Sequence, residues 1–302
     1  MIVNQANLRG LDVSYSAAYN KRFDTTNTNY EKIATTVPST TAETDYKWLG
    51  QMPRMREWIG EREIQKIATH GYSIKNKKFE MTISVPRESI EDDQYGVYTP
   101  YFSQMGEAAA MHPDELVFEA LKNGFKEKCY DGKSFFSEEH PYGEGGKDKA
   151  SNLSHKKLSV ETYESARAAI MSYTGDKGKP LNLIPNLLVV SPKNEKMARR
   201  ILKSDFVDGS TNEWKDTADI LVATELADKP DAWFLMCTNK FLKPIIFQKR
   251  KDIKLISKVR DDDDNVFMRD EFVWGASGRS NAGYGFWQMA YGSDGSEVQA
   301  QG

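Results

Sequence analysis

The stretch WLGQMPRMREWIGEREIQKIATHGYSIKNKKFEMTISVPRESIEDDQYG (Trp48–Gly96) decides the fold. Its later part alternates cleanly, with Phe79, Met81, Ile83 and Val85 on one side and Glu80, Thr82 and Ser84 on the other. That period of two is the signature of a half-buried β-strand. Glu61–Ala68 precedes it and ends at His70-Gly71, a turn signal. Together they predict a long β-ribbon of two or three strands. An isolated ribbon is marginal in water and needs something to lie on. The flanking sequence offers little, so the expected support is another copy of the same chain. The charges here are mixed, Arg54, Arg56, Arg62, Lys75, Lys77 and Lys78 standing among Glu57, Glu61, Glu63 and Glu80. A nucleic-acid patch would be more one-signed. Mixed charge beside Trp48 and Trp58 fits a protein–protein surface, where Trp and Arg are enriched.

Upstream, Leu8, Leu11, Tyr15, Ala18, Tyr19 and Phe23 recur at helical spacing and predict an amphipathic helix. Asp24–Tyr46 has little periodicity. It reads as an extended arm anchored by Tyr30, Ile33, Val37 and Tyr46, or else as a disordered tail. Downstream, Pro86 closes the ribbon. Tyr98–Met111 and Leu116–Phe125 are helix-periodic, either one long helix or two with a seam at Pro113, where His112-Pro113-Asp114-Glu115 resembles a helix start. Lys133–Leu158 reads as a loop-rich stretch. Helices are predicted over Val160–Tyr173 and Asn194–Leu202, and strands over Leu187–Val190, Ile220–Ala223, Trp233–Cys237 and Pro244–Gln248. Val266–Trp274 and Gly285–Tyr291 read as two strands joined by a Gly-rich loop, ASGRSNAGY. Helices and strands mix without regular βαβ alternation, which makes the class α+β.

At 302 residues the chain has room for two modest domains or one large one. Its 39% hydrophobic and 28% charged content is that of an ordinary globular protein, and its net charge of −3 lacks the basic excess of a sequence-specific DNA reader. A near-neutral charge is also that of most enzymes, so it does not choose between a structural and a catalytic role. Cys129 and Cys237 are far apart and form no CxxC pair, so two buried reduced thiols are expected. The start MIVNQANLRG has neither a basic nor an apolar leader pattern, and no run approaches the ~18 apolar residues of a membrane span.

No arrangement of residues carries obvious chemistry. His70, His112, His140 and His155 share no metal-ligand spacing, and His140 before Pro141 is expected to support a turn. Ser277 in GASG lacks the nucleophile-elbow spacing. The run Asp261–Asp264 fails the calcium-loop pattern, since Val266 and Phe272 stand where Gly and an acid are needed, so a solvated turn is the plain reading. Gly275, Gly278, Gly283 and Gly285 match no phosphate-binding motif. No catalytic, metal or cofactor-binding residue is assigned, and no cofactor is expected.

The Trp48–Gly96 block, together with YDGKSFFSEEHP (Tyr130–Pro141), GKPLNLIPNLLVVSPKNEKMARRIL (Gly178–Leu202) and GASGRSNAGYGFWQMA (Gly275–Ala290), resembles the major head subunit of Mu-like phages and prophages, whose members have the Hong Kong 97-type capsid fold. The pieces keep their order and span most of the chain. The resemblance implies an N-terminal arm (1–46), an extended β-loop (47–86), a peripheral domain with a long spine helix (87–129 and 259–302) and an axial domain (130–258). It implies a structural role: many copies forming hexamers and pentamers of an icosahedral shell around double-stranded DNA. The partners would be other copies, a separate scaffold and protease, a portal, and decoration proteins in some shells. The packaged DNA would be touched non-specifically. The chain would be assembled in the bacterial cytoplasm and end in the virion. Trp48, Arg54, Arg56, Trp58, Arg62, Ile64 and Phe79 are the candidate intersubunit contacts. Lys75-Asn76-Lys77-Lys78 reads as a polar hairpin turn, and no Lys–Asn crosslink is predicted. The alternative is a bacterial encapsulating compartment of the same fold with an enzyme cargo.

Overall fold

The computed structural model describes residues 5–46, 49, 71–92, 96–142, 148–175, 179–207 and 209–296. Helix α1 (Gln5–Thr25) is followed by one turn of helix, α2 (Tyr30–Ile33), and by strands β1 (Ala34–Pro38), β2 (Glu43–Asp45), β3 (Ser73–Lys75) and β4 (Lys77–Pro86). A short α3 (Arg87–Glu91) leads to the long α4 (Thr99–Asn123). Then come β5 (His140–Tyr142), β6 (Asp148–Ala150), β7 (Leu153–Ser154), α5 (Val160–Ser172), β8 (Leu187–Val190), α6 (Glu195–Lys203), β9 (Phe206–Val207), β10 (Ser210–Thr211), β11 (Asp219–Val222) and β12 (Trp233–Met236). The chain closes with β13 (Ile245–Lys258), α7 (Asp264–Arg269), β14 (Glu271–Tyr284) and β15 (Ala290–Ser293).

Two sheets organise these elements. The first has the order β1-β13-β14-β4, and the second β11-β8-β12-β15-β7. This is an α+β chain, as its sequence pattern predicts. β8 and β12 are buried at every position, which explains their unbroken apolar sequence. Helix α5 starts where Ser159 accepts the Thr162 N–H at 3.2 Å while the Thr162 hydroxyl accepts the Ser159 N–H at 2.8 Å, a reciprocal cap.

Two apolar cores result. The larger lies around the second sheet, with Trp233, Phe234, Phe136, Tyr163 and Trp287 inside it. The smaller joins α1 and α4 to the first sheet through Leu8, Tyr15, Tyr19, Phe102, Val85, Phe272 and Trp274. Tyr15 stacks on Phe102 at 4.3 Å and meets Trp274 edge-on at 5.6 Å. Asp12 accepts the Trp274 indole N–H at 2.9 Å and the Ser257 hydroxyl at 3.0 Å, which ties α1 to the sheet.

Several expectations change. Strand β4 does alternate as its sequence predicts, but it lies antiparallel to β14 over ten residue pairs of its own chain, with Met81, Ile83 and Val85 on the smaller core. Its shelter is therefore intramolecular, because β14 offers a complete hydrogen-bonding edge next door. The other part of the predicted ribbon, Glu61–Ala68, lies outside the described residues. Asn76 sits buried within the expected polar turn, its amide donating to the Thr41 carbonyl at 2.8 Å and the Ser39 hydroxyl at 2.9 Å.

The segment after Asp24 is no loose tail. β1 runs parallel to β13, and Ile33 is buried in the larger core. The apparent helix start at Pro113 falls inside α4, which continues through it. The Gly-rich ASGRSNAGY is the interior of the 14-residue β14 and not a loop. A side chain at Gly278 would run into Ile253, and one at Gly283 into Ile74 and Tyr72, so the glycines serve close packing across the strand. β13 belongs with β4 and β14, whereas β15 joins the sheet of β8 and β12.

Candidate functional site

The expected site is an assembly surface, which needs projecting apolar groups held on rigid supports. The tip between β13 and β14 has this form. Val266 anchors α7 in the smaller core. The Asn265 amide donates to the carbonyls of Lys258 and Glu271 at 3.0 and 2.6 Å and so staples the two strands together. Asp263 accepts the Arg260 N–H at 2.9 Å, the main reason its carboxyl is held below the ordinary range. Asp270 ends the helix in the left-handed region at φ 48°. On this frame Phe267 and Met268 point outward, 82% and 74% exposed, beside the acids Asp261, Asp262 and Asp264.

Two further tips carry bare aromatic rings. Phe206, on the β9–β10 hairpin, is 68% exposed, and Phe241, in the turn between β12 and β13, is 94% exposed. Single exposed apolar residues are ordinary. Exposed phenylalanines at three such positions fit contact with another protein. Sequence reading missed all three tips. Phe267 and Met268 sat inside a predicted strand, and nothing local distinguishes an aromatic at a tip from one in a core.

Of the seven contact candidates from sequence, Trp48, Arg54, Arg56, Trp58, Arg62 and Ile64 lie outside the described residues. Phe79 is half-buried on β4, its ring 4.2 Å from that of His112 on α4. One face of Phe79 is thus occupied within its own subunit.

A buried polar knot lies against the larger core, beside Phe135 and Trp287. The ligand-type atoms of Cys129, Asp131 and His140 fall within 4.8 Å of one another. They are engaged with each other: the Cys129 thiol donates to Asp131 at 3.2 Å, and His140 Nδ1 meets the other Asp131 oxygen at 2.6 Å. His140 Nε2 faces Asn152 Oδ1 at 3.1 Å, and the ring stacks on Trp287 at 4.1 Å. The Asn152 amide donates to the carbonyls of Phe135, Trp287 and Ala290. Burial would raise the Asp131 carboxyl, but hydrogen bonding and charge at His140 override it and hold the carboxyl below its ordinary value. Burial pushes the Cys129 thiol up, away from the reactive thiolate. The knot joins three loops, a larger task than the single turn expected for His140. Both cysteines are buried free thiols. Among the described residues no helix is long and apolar enough to cross a membrane.

Comparison with known proteins shows the family. The family model of the Mu-like prophage major head subunit gpT matches residues 8–157, 149–226 and 222–301. The chain is 36% identical over 290 residues to the major capsid protein of Escherichia phage Mu, covering 96% of this chain and 74% of that protein. It is 37% identical over 262 residues to the major head subunit of the Mu-like prophage FluMu of Haemophilus influenzae, covering 87% of this chain and 65% of that protein. Among solved structures, the procapsid of bacteriophage JBD30 matches with a TM-score of 0.62 and 33% identity over 99% of this chain and 78% of that one. A virus-like particle from Pyrococcus furiosus shares the fold at 10% identity and a TM-score of 0.51. The α+β architecture is thus the Hong Kong 97-type capsid fold, and the chain belongs to the Mu-like prophage major head subunit family, as a major capsid protein.

Proposed function

We propose that many copies of this chain tile into hexamers and pentamers of an icosahedral head that encloses double-stranded DNA. The likeness to the phage Mu capsid protein along 96% of the chain, with a procapsid subunit as structural neighbour, carries this reading. The part played by each chain is mechanical. Modest contacts repeated around closed rings make disassembly cooperative. The proposed division is an arm (1–46), an extended loop (47–86) rooted in the first sheet by β4, a peripheral domain around α4 and an axial domain around the second sheet. Trp48, Trp58 and Ile64 are proposed as apolar anchors on neighbouring subunits and Arg54, Arg56 and Arg62 as ion-pair formers, with Phe79 contributing its outer face. A separate scaffold and protease, a portal, decoration proteins and non-specifically held DNA are the proposed partners, and the bacterial cytoplasm the place of assembly. The role proposed is structural and not enzymatic.

Electron microscopy of the overexpressed protein tests this. Closed particles, rings or hexamer sheets are expected. A small soluble species that turns over a substrate would overturn the reading. Genes for portal, terminase and tail beside this one would agree with a phage head, whereas an adjacent cargo enzyme would favour a protein compartment.

A further inference from the structure

We infer that the free edge of β11 is a docking strand for an extended, acid-bearing segment of a second copy of this chain. The inference rests on the self-assembly proposed above and names one surface that performs it. Among the described residues β11 is the outer strand of its sheet and pairs only with β8, in parallel, from Asp219 opposite Leu187 to Val222 opposite Val190. The Asp219 N–H donates to the Asn186 carbonyl and the Ala223 N–H to that of Val190, both at 2.9 Å. Backbone groups alternate sides along a strand, so Ile220 and Val222 aim theirs away from β8. Neither meets a protein partner there among the described residues.

That edge opens into a cleft of about 580 Å³ with Ile220 and Val222 on its floor. Lys32 and Lys243 stand in its lining, and Arg199 and Lys203 reach it from α6, against one acid, Asp219. The cations are only loosely engaged. Lys32 donates to the Asn29 side-chain oxygen, Lys243 to the Glu31 carbonyl, and Arg199 and Lys203 pair with the surface acids Glu195 and Asp216. Such exposed pairs yield easily to a better partner.

An unpaired edge invites another strand, and proteins commonly guard it with cations. Here the cations also select the visitor. Two β11 edges would repel one another, so symmetric pairing across a two-fold axis is disfavoured. A segment from a different face of the neighbour, carrying acids, satisfies both the backbone and the charge. Contact between unlike faces closes rings, which is what a hexamer or pentamer requires. Extended backbone that carries exposed acids exists on the chain, in β2 with Glu43 and Asp45. Duplex DNA fits less well, since its phosphates would meet the outward carbonyls of Ile220 and Val222 as well as Asp219.

The full-length chain is tested by sedimentation and by amide exchange, using Val222→Pro and the double variant Arg199→Glu/Lys203→Glu. Proline removes one outward N–H and leaves the ladder amides of Asp219 and Ala223 in place. In assembled wild type the Ile220 and Val222 amides should exchange at least about tenfold more slowly than in dissociated chain. Both variants should keep the wild-type circular dichroism and lose most of the assembled fraction. If Val222→Pro fails to fold, the charge variant and the exchange rates decide. Assembled wild type with an unprotected edge, or a charge variant that assembles normally, overturns this inference and leaves the shell reading intact. Protection that appears only when duplex DNA is added overturns it in favour of phosphate. A wild-type chain that stays monomeric at every concentration overturns both.

Discussion

The carboxylate of Asp114, midway along α4, accepts the backbone N–H of Tyr30 at 2.7 Å, and that of Asn29 at 2.9 and 3.0 Å. A residue that looks like part of a helix start in its own segment thus caps the first turn of α2 in another. Burial raises the Asp114 carboxyl above its ordinary value despite these bonds. Folding therefore favours its protonated form, and its contribution to stability falls as pH rises through the raised value. Asp114→Ala should cost about 1–3 kcal/mol by stranding two part-buried donors. Asp114→Asn, which keeps an acceptor without the charge, should cost less. Urea unfolding of both variants at neutral pH checks the order.

Gly106 lets α1 press on α4. A methyl group there would run into the Tyr19 carbonyl oxygen. Gly106→Ala should destabilise the chain by about 1–3 kcal/mol, although alanine is the better helix former. Thermal unfolding measures the loss, and a variant more stable than wild type would mean that the two helices part easily.

The Asp131–His140 pair predicts an acid limit. The Asp131 carboxyl is depressed in the folded chain, so its stabilisation is present above the ordinary carboxylate value of about 4 and is lost as pH falls through the depressed one. Asp131→Asn should be less stable than wild type at pH 7, and the gap should close toward pH 3. Melting temperatures across that range decide it, and a gap independent of pH would contradict the charge argument.

Phe267 and Met268 touch solvent, so Phe267→Ser/Met268→Ser should change subunit stability by no more than about 0.5 kcal/mol. Shell formation should nonetheless fall sharply in light scattering if this exposed tip meets a neighbouring subunit. Equal assembly of variant and wild type would remove this tip from the interface.

Trp58→Ala should impair assembly while the subunit stays folded. Loss of the circular dichroism signal in that variant would place Trp58 in an intramolecular core instead.

What the sequence determined by itself was the local pattern of burial. The alternation of Phe79–Val85, the unbroken apolar runs of β8 and β12 and the helical spacing of α1 and α5 are consequences of which neighbours face inward, and each was legible. The phage-head resemblance was legible too, because its blocks keep their order along the chain.

Only the tertiary structure decided what each pattern packs against. β4 needed a partner edge and an apolar support, and nothing within its own residues says that β14 supplies the one and α1 and α4 the other. The glycines of β14 signalled a turn, yet their lack of side chains is spent on close contacts with residues distant in sequence. Asp114 caps a segment 84 residues away, and His140 joins loops from three parts of the chain. Period and propensity report whether a side chain is buried. The partner is fixed by which surfaces meet when the whole chain closes, and that information is not local.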